Sequence, residues 1–172
     1  MAPGSAALLR LIDIETALRV LIGAGVDFIV VGGVAARAHG SARLTNDLDV
    51  VYQRTPENIA RLAAALEPHS PYLRGAPPGL PFRWDPGTIH RGLNFTLTTA
   101  FGDIDLLGEI TGGGRYEALA THSTIVAAFG LEVRCLDLDL LIHVKRAAGR
   151  PKDLEAIAEL EALFEERKRP WG

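Results

Sequence analysis

Two short stretches, "NDLDVVY" around Asp47 and Asp49 and "GDIDLLG" around Asp103 and Asp105, place aspartates two residues apart inside runs otherwise suited to burial. On a strand, residues two apart point the same way and lie roughly 6 to 7 Å apart. Asp47 and Asp49 therefore share one face while Leu48 and Val50 face the core, and Asp103 and Asp105 repeat the arrangement. Carboxylates held together in a partly buried place repel, so one keeps its proton or a cation sits between them. Oxygen ligands without histidine or cysteine suit Mg²⁺, which takes a couple of carboxylates plus water and substrate phosphates. That chemistry is phosphoryl or nucleotidyl transfer. An isolated D-x-D is equally compatible with Asp47 flanking its strand and Asp49 making a surface ion pair.

A second feature precedes the first aspartates. In "VVGG", Gly32 and Gly33 stand between an apolar run and a helix start, where bare backbone N–H groups and the helix dipole attract phosphate. A tight strand-to-helix turn would use the same two residues. The glycines, a short helix and an acidic strand in succession favour the phosphate reading over the turn alone.

The elements that must position these residues follow from periodicity and punctuation. Leu8, Leu9, Leu11, Ile12, Ile14, Leu18 and Leu21 recur at helical spacing from Ala6 to Leu21, closed by Gly23 and Gly25. "DFIVVGG" predicts a buried strand, a short helix follows from Gly33 to His39, and a second strand runs from Asp47 to Tyr52. In "RTPENIARLAAALEP", Thr55 caps a helix, Pro56 takes its first position and Pro68 stops it. "HSPYLRGAPPGLPF" predicts a long irregular loop or lid, and "LNFTLTTAFGDIDLLGEI" a β-hairpin turning at Phe101 and Gly102. "TGGGRYEALATHS" reads as a glycine turn and short helix, and "TIVAAFGLEVRCL" as strand-like around Gly130. Two helices close the chain, Asp137 to Ala147 and Pro151 to Lys168. This order predicts an α/β (α+β) domain with a mixed central sheet flanked by helices, since parallel crossovers and a hairpin both appear.

With 172 residues and 48% hydrophobic content, the expectation is one domain spanning residues 1–172, with a core over about 27–107 and a helical completion over 116–170. The formal net charge of −3 argues against a strongly basic nucleic-acid binder. Cys135 is the one cysteine, which excludes an intramolecular disulfide and a thiolate metal site within the chain. The N-terminal "AALLRLI" is interrupted by Arg10 too early for a secretory core, and the apolar run from Phe28 to Ala36 falls short of the ~20 residues of a membrane span. A soluble, cytoplasmic protein without membrane contact is expected.

Taken together, "VVGG", the intervening helix and "DLDVV" resemble the polymerase-beta-like nucleotidyltransferase superfamily. Its signature is a hydrophobic strand, Gly-Gly or Gly-Ser, a short helix and Asp-x-Asp on the next strand, with a third carboxylate on a later strand. "FGDIDLL" supplies that third group, Asp105 matching the pattern better and Asp103 standing in reserve. "GGVAARAHGSARLTNDLDV", "GDIDLL" and "KRAAGRPKDLEAI" are similar to small bacterial nucleotidyltransferases related to abortive-infection type IV toxins of toxin–antitoxin systems. The resemblance covers most of residues 27 to 160. It implies a polymerase-beta-like nucleotidyltransferase fold, Mg²⁺ held by Asp47, Asp49 and Asp105, and a nucleoside triphosphate as donor. Asp105 would draw the proton from the acceptor hydroxyl, and Gly32 and Gly33 would face the leaving pyrophosphate. The acceptor is left open among RNA, protein and small molecules, and a second copy of the chain or an antitoxin is a candidate partner. The competing class is a catalytically silent nucleotide-binding or partner-binding module of the same fold.

Further residues are weighed beside these. Arg43 and Thr45, just before the acidic strand, are candidates to touch phosphate, as is Lys145, which the resemblance places near the triphosphate, with Lys152 close by. His39 next to Gly40 reads as a helix C-terminal residue. Tyr72, Phe82 and Trp84 read as loop anchors, with stacking on a base or acceptor as the alternative. "TGGGRY" lacks the Gly-Lys-Ser/Thr of a phosphate loop, and the Gly-x-Gly of "GAGVDFIVV" precedes its strand, so neither nucleotide fingerprint applies.

Overall fold

A computed structural model describes residues 12–169. Leu8, Leu9 and Leu11 of the predicted first helix lie outside them. Within the described residues, α1 (Ile14–Gly23) is capped by Asp13, whose carboxylate accepts from Thr16 N at 3.1 Å. It buries Ala17, Leu18 and Leu21. β1 (Phe28–Val31) is buried throughout and runs straight into α2 (Gly32–Ala38). β2 (Asp47–Tyr52) and the Thr55-capped α3 (Pro56–Leu66) follow. Asn58 of α3 is fully buried. Its side chain accepts from Asp27 N and donates to the Asp27 and Gln53 carbonyls at 2.7 to 2.9 Å, clasping the helix to the outer ends of both strands.

The stretch predicted as an irregular loop contains more order than expected. A short strand, β3 (Tyr72–Leu73), pairs antiparallel with β4 (Phe95–Thr99), and a helix, α4 (Pro86–Arg91), closes the connection. Asp85 caps α4 and Pro86 opens it, a start signal the sequence carries but which the surrounding prolines and glycines obscure. Between them, Tyr72, Phe82, Trp84 and Phe95 form a chain of ring contacts with centroids 5.5 to 6.4 Å apart. These aromatics anchor the loop, as the sequence suggests.

β4 turns into β5 (Gly102–Leu107), the predicted hairpin. β6 (Glu109–Ile110) and β7 (Gly114–Arg115) form a small separate ribbon that leads to α5 (Tyr116–Ala120). β8 (Ser123–Ala128) and β9 (Leu131–Leu136) form a second hairpin. α6 (Leu138–Ala148), a 3₁₀ turn at Pro151–Asp153 and α7 (Leu154–Lys168) complete the chain.

Seven strands form one mixed sheet in the order β3-β4-β5-β2-β1-β9-β8. β2 is parallel to β5 and β1 to β9, and the remaining neighbours are antiparallel. The strand–helix–strand order of β1, α2 and β2 suggests a parallel crossover, but β2 returns antiparallel beside β1. The reason is geometric: α2 has seven residues and packs over β2, so the chain doubles back along the strand it left. This return sets Asp49 opposite Val31, the residue before the glycines. The main core is made by Leu18, Leu21, Ile29, Val30, Leu48, Val50, Leu62, Leu97, Ile104 and Leu106 from both sides of the sheet. A smaller cluster of Ala36, Leu138, Ile142 and Leu160 ties α2 to α6 and α7. Among the described residues no helix is long and apolar enough to cross a membrane.

Candidate active site

The parallel pairing of β2 with β5 is in step, Asp47 opposite Asp103 and Asp49 opposite Asp105, while Leu48 and Ile104 point to the core between them. Four carboxylates thus stand on one face of two adjacent strands. Asp47, Asp49 and Asp105 each offer an oxygen within 4.8 Å of the others, close enough to share one cation. Asp103 lies beside this group, outside the set of three, and faces an arginine.

The glycines complete the corner. Gly32 has φ +66°, a conformation that side chains rarely adopt, and a Cβ there would fall on Asp49 Oδ2. A Cβ on Gly33 would come within 2.9 Å of the Thr45 side chain. Thr45 Oγ1 in turn donates to the Asp47 carbonyl at 2.9 Å and lies 3.3 Å from Asp47 Oδ1. Gly-Gly is therefore required by the close approach of α2 to Asp49 and to Thr45, which in turn holds Asp47.

Burial and mutual repulsion set the charge state of the cluster. Burial, then the Asp105 charge beside it, raises the Asp47 carboxyl above the usual range. Burial, followed by the charge of Asp47 and the contact with Asp105, pushes Asp49 up to about 8. Asp49 Oδ1 is buried without a hydrogen-bond partner, and the equally buried Asp105 Oδ1 meets only an arginine, Arg74 Nη2 at 2.9 Å. Buried acceptors left unmet are costly, and a hard divalent cation is the group that oxygen-only ligands of this kind accommodate. The three carboxylates therefore fit a metal such as Mg²⁺.

Two hollows open beside the triad. The larger, about 310 Å³, is lined by Gly32, Gly33, Asp49 and Asp105 on one side and by Leu141, Val144 and Lys145 of α6 on the other. The smaller, about 160 Å³, holds Arg43, Thr45, Lys145 and Lys152. Gly33 and Lys145 border both, so an apolar-walled space and a basic one meet between these two residues. Lys145 is kept at this junction by Asp153, 3.8 Å away and itself clasped by Arg150 at 2.6 Å. Arg43 faces Glu155 of α7 at 3.8 Å. All eight residues expected from the sequence thus line the triad or the two hollows. His39 stands apart: its Nε2 meets the Leu136 carbonyl at 2.7 Å and Arg167 holds its Nδ1 and carbonyl, a helix-end role.

One residue of the site escaped sequence reading. Arg74, immediately after β3, reaches back to Asp105 at 2.9 Å, Asp103 at 3.3 Å and Asp47 at 4.0 Å. Nothing near it in sequence marks it, because its partners are brought by strands whose pairing the sequence does not reveal.

No protein-family model and no curated protein sequence matches the chain. Solved folds do. Over 91% of this chain and 97% of the other, the fold is similar to that of ANT(2'')-Ia in complex with adenylyl-2''-tobramycin, with 16% identity and a TM-score of 0.52. A solution structure of the antibiotic-resistance factor ANT(2'')-Ia gives 17% identity and a TM-score of 0.49 over 90% of both chains. The nucleotidyltransferase candidate TM1012 of Thermotoga maritima gives 15% and 0.47 over 91% of this chain and 96% of that one. The mixed α/β architecture of the chain is that of nucleotidyltransferase folds.

Proposed function

We propose that this chain is a Mg²⁺-dependent nucleotidyltransferase that moves an NMP group from a nucleoside triphosphate to an acceptor hydroxyl. The observation that carries the reading is the convergence of Asp47, Asp49 and Asp105 at the Gly32–Gly33 corner, with Asp49 Oδ1 buried and unpartnered. The fold likeness to ANT(2'')-Ia, solved with an adenylylated acceptor, agrees with it.

In this reading the acceptor oxygen attacks the α-phosphorus, the new P–O bond forms as the α–β bridging P–O bond breaks, and pyrophosphate leaves. Asp105 receives the acceptor proton at a carboxylate oxygen. Gly32 and Gly33 leave room for the phosphates at the bare backbone, and Lys145 and Arg43 neutralise their charge from the smaller hollow. Thr45 fixes the orientation of Asp47, and the apolar wall from Leu141 to Val144 provides a dry face for the base. Mg²⁺ held by Asp47, Asp49 and Asp105 would supply charge stabilisation to the attacking and leaving oxygens. The kinship with toxin nucleotidyltransferases belongs to the same proposal and makes RNA, a protein or a small molecule the acceptor.

The test is incubation of the purified chain with each α-labelled nucleoside triphosphate, Mg²⁺ and a cell extract. Label is expected on one macromolecular or small-molecule fraction, and Asp49→Asn is expected to fold normally and bring transfer below detection. Absence of label in every fraction from the native chain would favour the silent binding module, and full activity in Asp49→Asn would refute the site.

A further inference from the structure

Resting on that reading, the geometry points to Arg74 as the residue that sets how tightly the triad holds its cation. Its guanidinium is a counter-charge built into the chain, and a divalent ion entering the site competes with it for Asp47 and Asp105.

Three observations carry this. First, the arginine spreads its fork over three carboxylates, Nη2 at 2.9 Å from Asp105 Oδ1, Nε at 3.3 Å from Asp103 Oδ2 and Nη1 at 4.0 Å from Asp47 Oδ2. Two of these residues belong to the triad itself. Second, the arginine is held in place. Its backbone N donates to the Thr96 carbonyl at 3.0 Å and its Nη2 to the Leu97 carbonyl at 2.9 Å. The turn beyond it is secured by the Tyr72 hydroxyl, which bonds the Pro77 carbonyl and accepts from Leu80 N, and by the ring contacts of Phe82 and Trp84. Third, Arg74 lines neither hollow. It approaches from the β3–β4 flank, whereas the hollows lie between the glycines and the last two helices. Its charge therefore acts on the cation through the carboxylates, which makes it a positioning residue rather than a phosphate ligand.

A partly buried positive charge within 4 Å of the ligands lowers their attraction for a second cation, and Arg74 offsets the mutual repulsion of the carboxylates while that cation is away. Both effects are measurable on the whole chain. Mn²⁺ would be titrated into metal-stripped protein and the free ion followed by electron paramagnetic resonance, alongside thermal unfolding without metal. Arg74→Gln is expected to bind Mn²⁺ about tenfold more tightly and to unfold at a lower temperature when metal-free. Arg74→Lys keeps the charge but loses the fork, and is expected to tighten binding by about threefold. It decides the question should the glutamine variant fail to fold. Unchanged or weaker Mn²⁺ binding in a folded variant would overturn the role of Arg74 alone. Failure of the native chain and of every variant to take up Mn²⁺ would overturn the metal reading beneath it.

Discussion

The triad is served by two flanks built on opposite principles. On one side, the β1–α2–β2 corner is contiguous in sequence: Val31, Gly32, Thr45, Asp47 and Asp49 lie within 19 residues, and its contacts rest on backbone geometry, bare glycines and the bond from the Thr45 hydroxyl to the Asp47 carbonyl. On the other, the β3–α4 flank delivers Arg74 through aromatic contacts and a two-residue edge strand. The first flank makes the space in which chemistry could occur, and the second supplies the charge that balances it. Errors in the corner should therefore cost both stability and the site, while errors in the flank should cost stability and alter only the affinity of the site.

Gly32→Ala tests the corner most severely. The new Cβ meets Asp49 at a backbone conformation with φ +66°, so a loss of about 2 to 4 kcal/mol in denaturant unfolding and the disappearance of Mn²⁺ uptake are expected together. Mn²⁺ uptake that survived would show that the corner yields as the flank does. Phe95→Ala breaks the aromatic chain at its β4 end, where the ring is 8% exposed. It should cost about 3 kcal/mol while Mn²⁺ binding persists with changed affinity.

The two flanks should also answer pH in opposite directions. Asp49 has its carboxyl raised from 3.8 to about 8, so the folded, metal-free chain holds a proton that the unfolded chain releases. Stability is then present at low pH and declines as pH rises from 3.8 toward about 8. Unfolding midpoints measured in chelator should show this decline in the native chain and a shallower one in Asp49→Asn, where the raised Asp47 remains. Asp85, capping α4, is held below 3.8 by its bond from the Thr88 backbone N–H. Its contribution is present above that value and fades as pH falls through the lowered pKa, so acid should loosen the α4 flank by a small amount. Amide exchange at Thr88 measured across the acid range checks it, and Asp85→Asn should blunt the response.

Legibility followed the same division. Gly-Gly, the short helix, D-x-D and the D-I-D strand are local patterns, and the strands β2 and β5 stand close to where alternation puts them. The choice between Asp103 and Asp105 is one of strand register, and Asp105 falls with Asp49 because the parallel pairing is in step. Arg74, β3 and α4 were hidden because prolines and glycines dominate their stretch and their partners are distant in sequence. The antiparallel return of β2 was hidden for a related reason: a strand–helix–strand order does not state whether the helix spans the sheet or merely turns the chain. Asn58 looks like an ordinary polar residue near a helix start, and only the meeting of Asp27 and Gln53 around it makes it a clasp.

The in-step ladder between β2 and β5 ties the acidic triad to strand alignment. If β5 slid by a single position, Ile104 and Leu106 would fill the hollow while Asp103 and Asp105 were driven among the leucines. A misaligned chain is thus penalised by its own hydrophobic interior before any substrate arrives, and the two acidic strands can change during evolution only as a matched set.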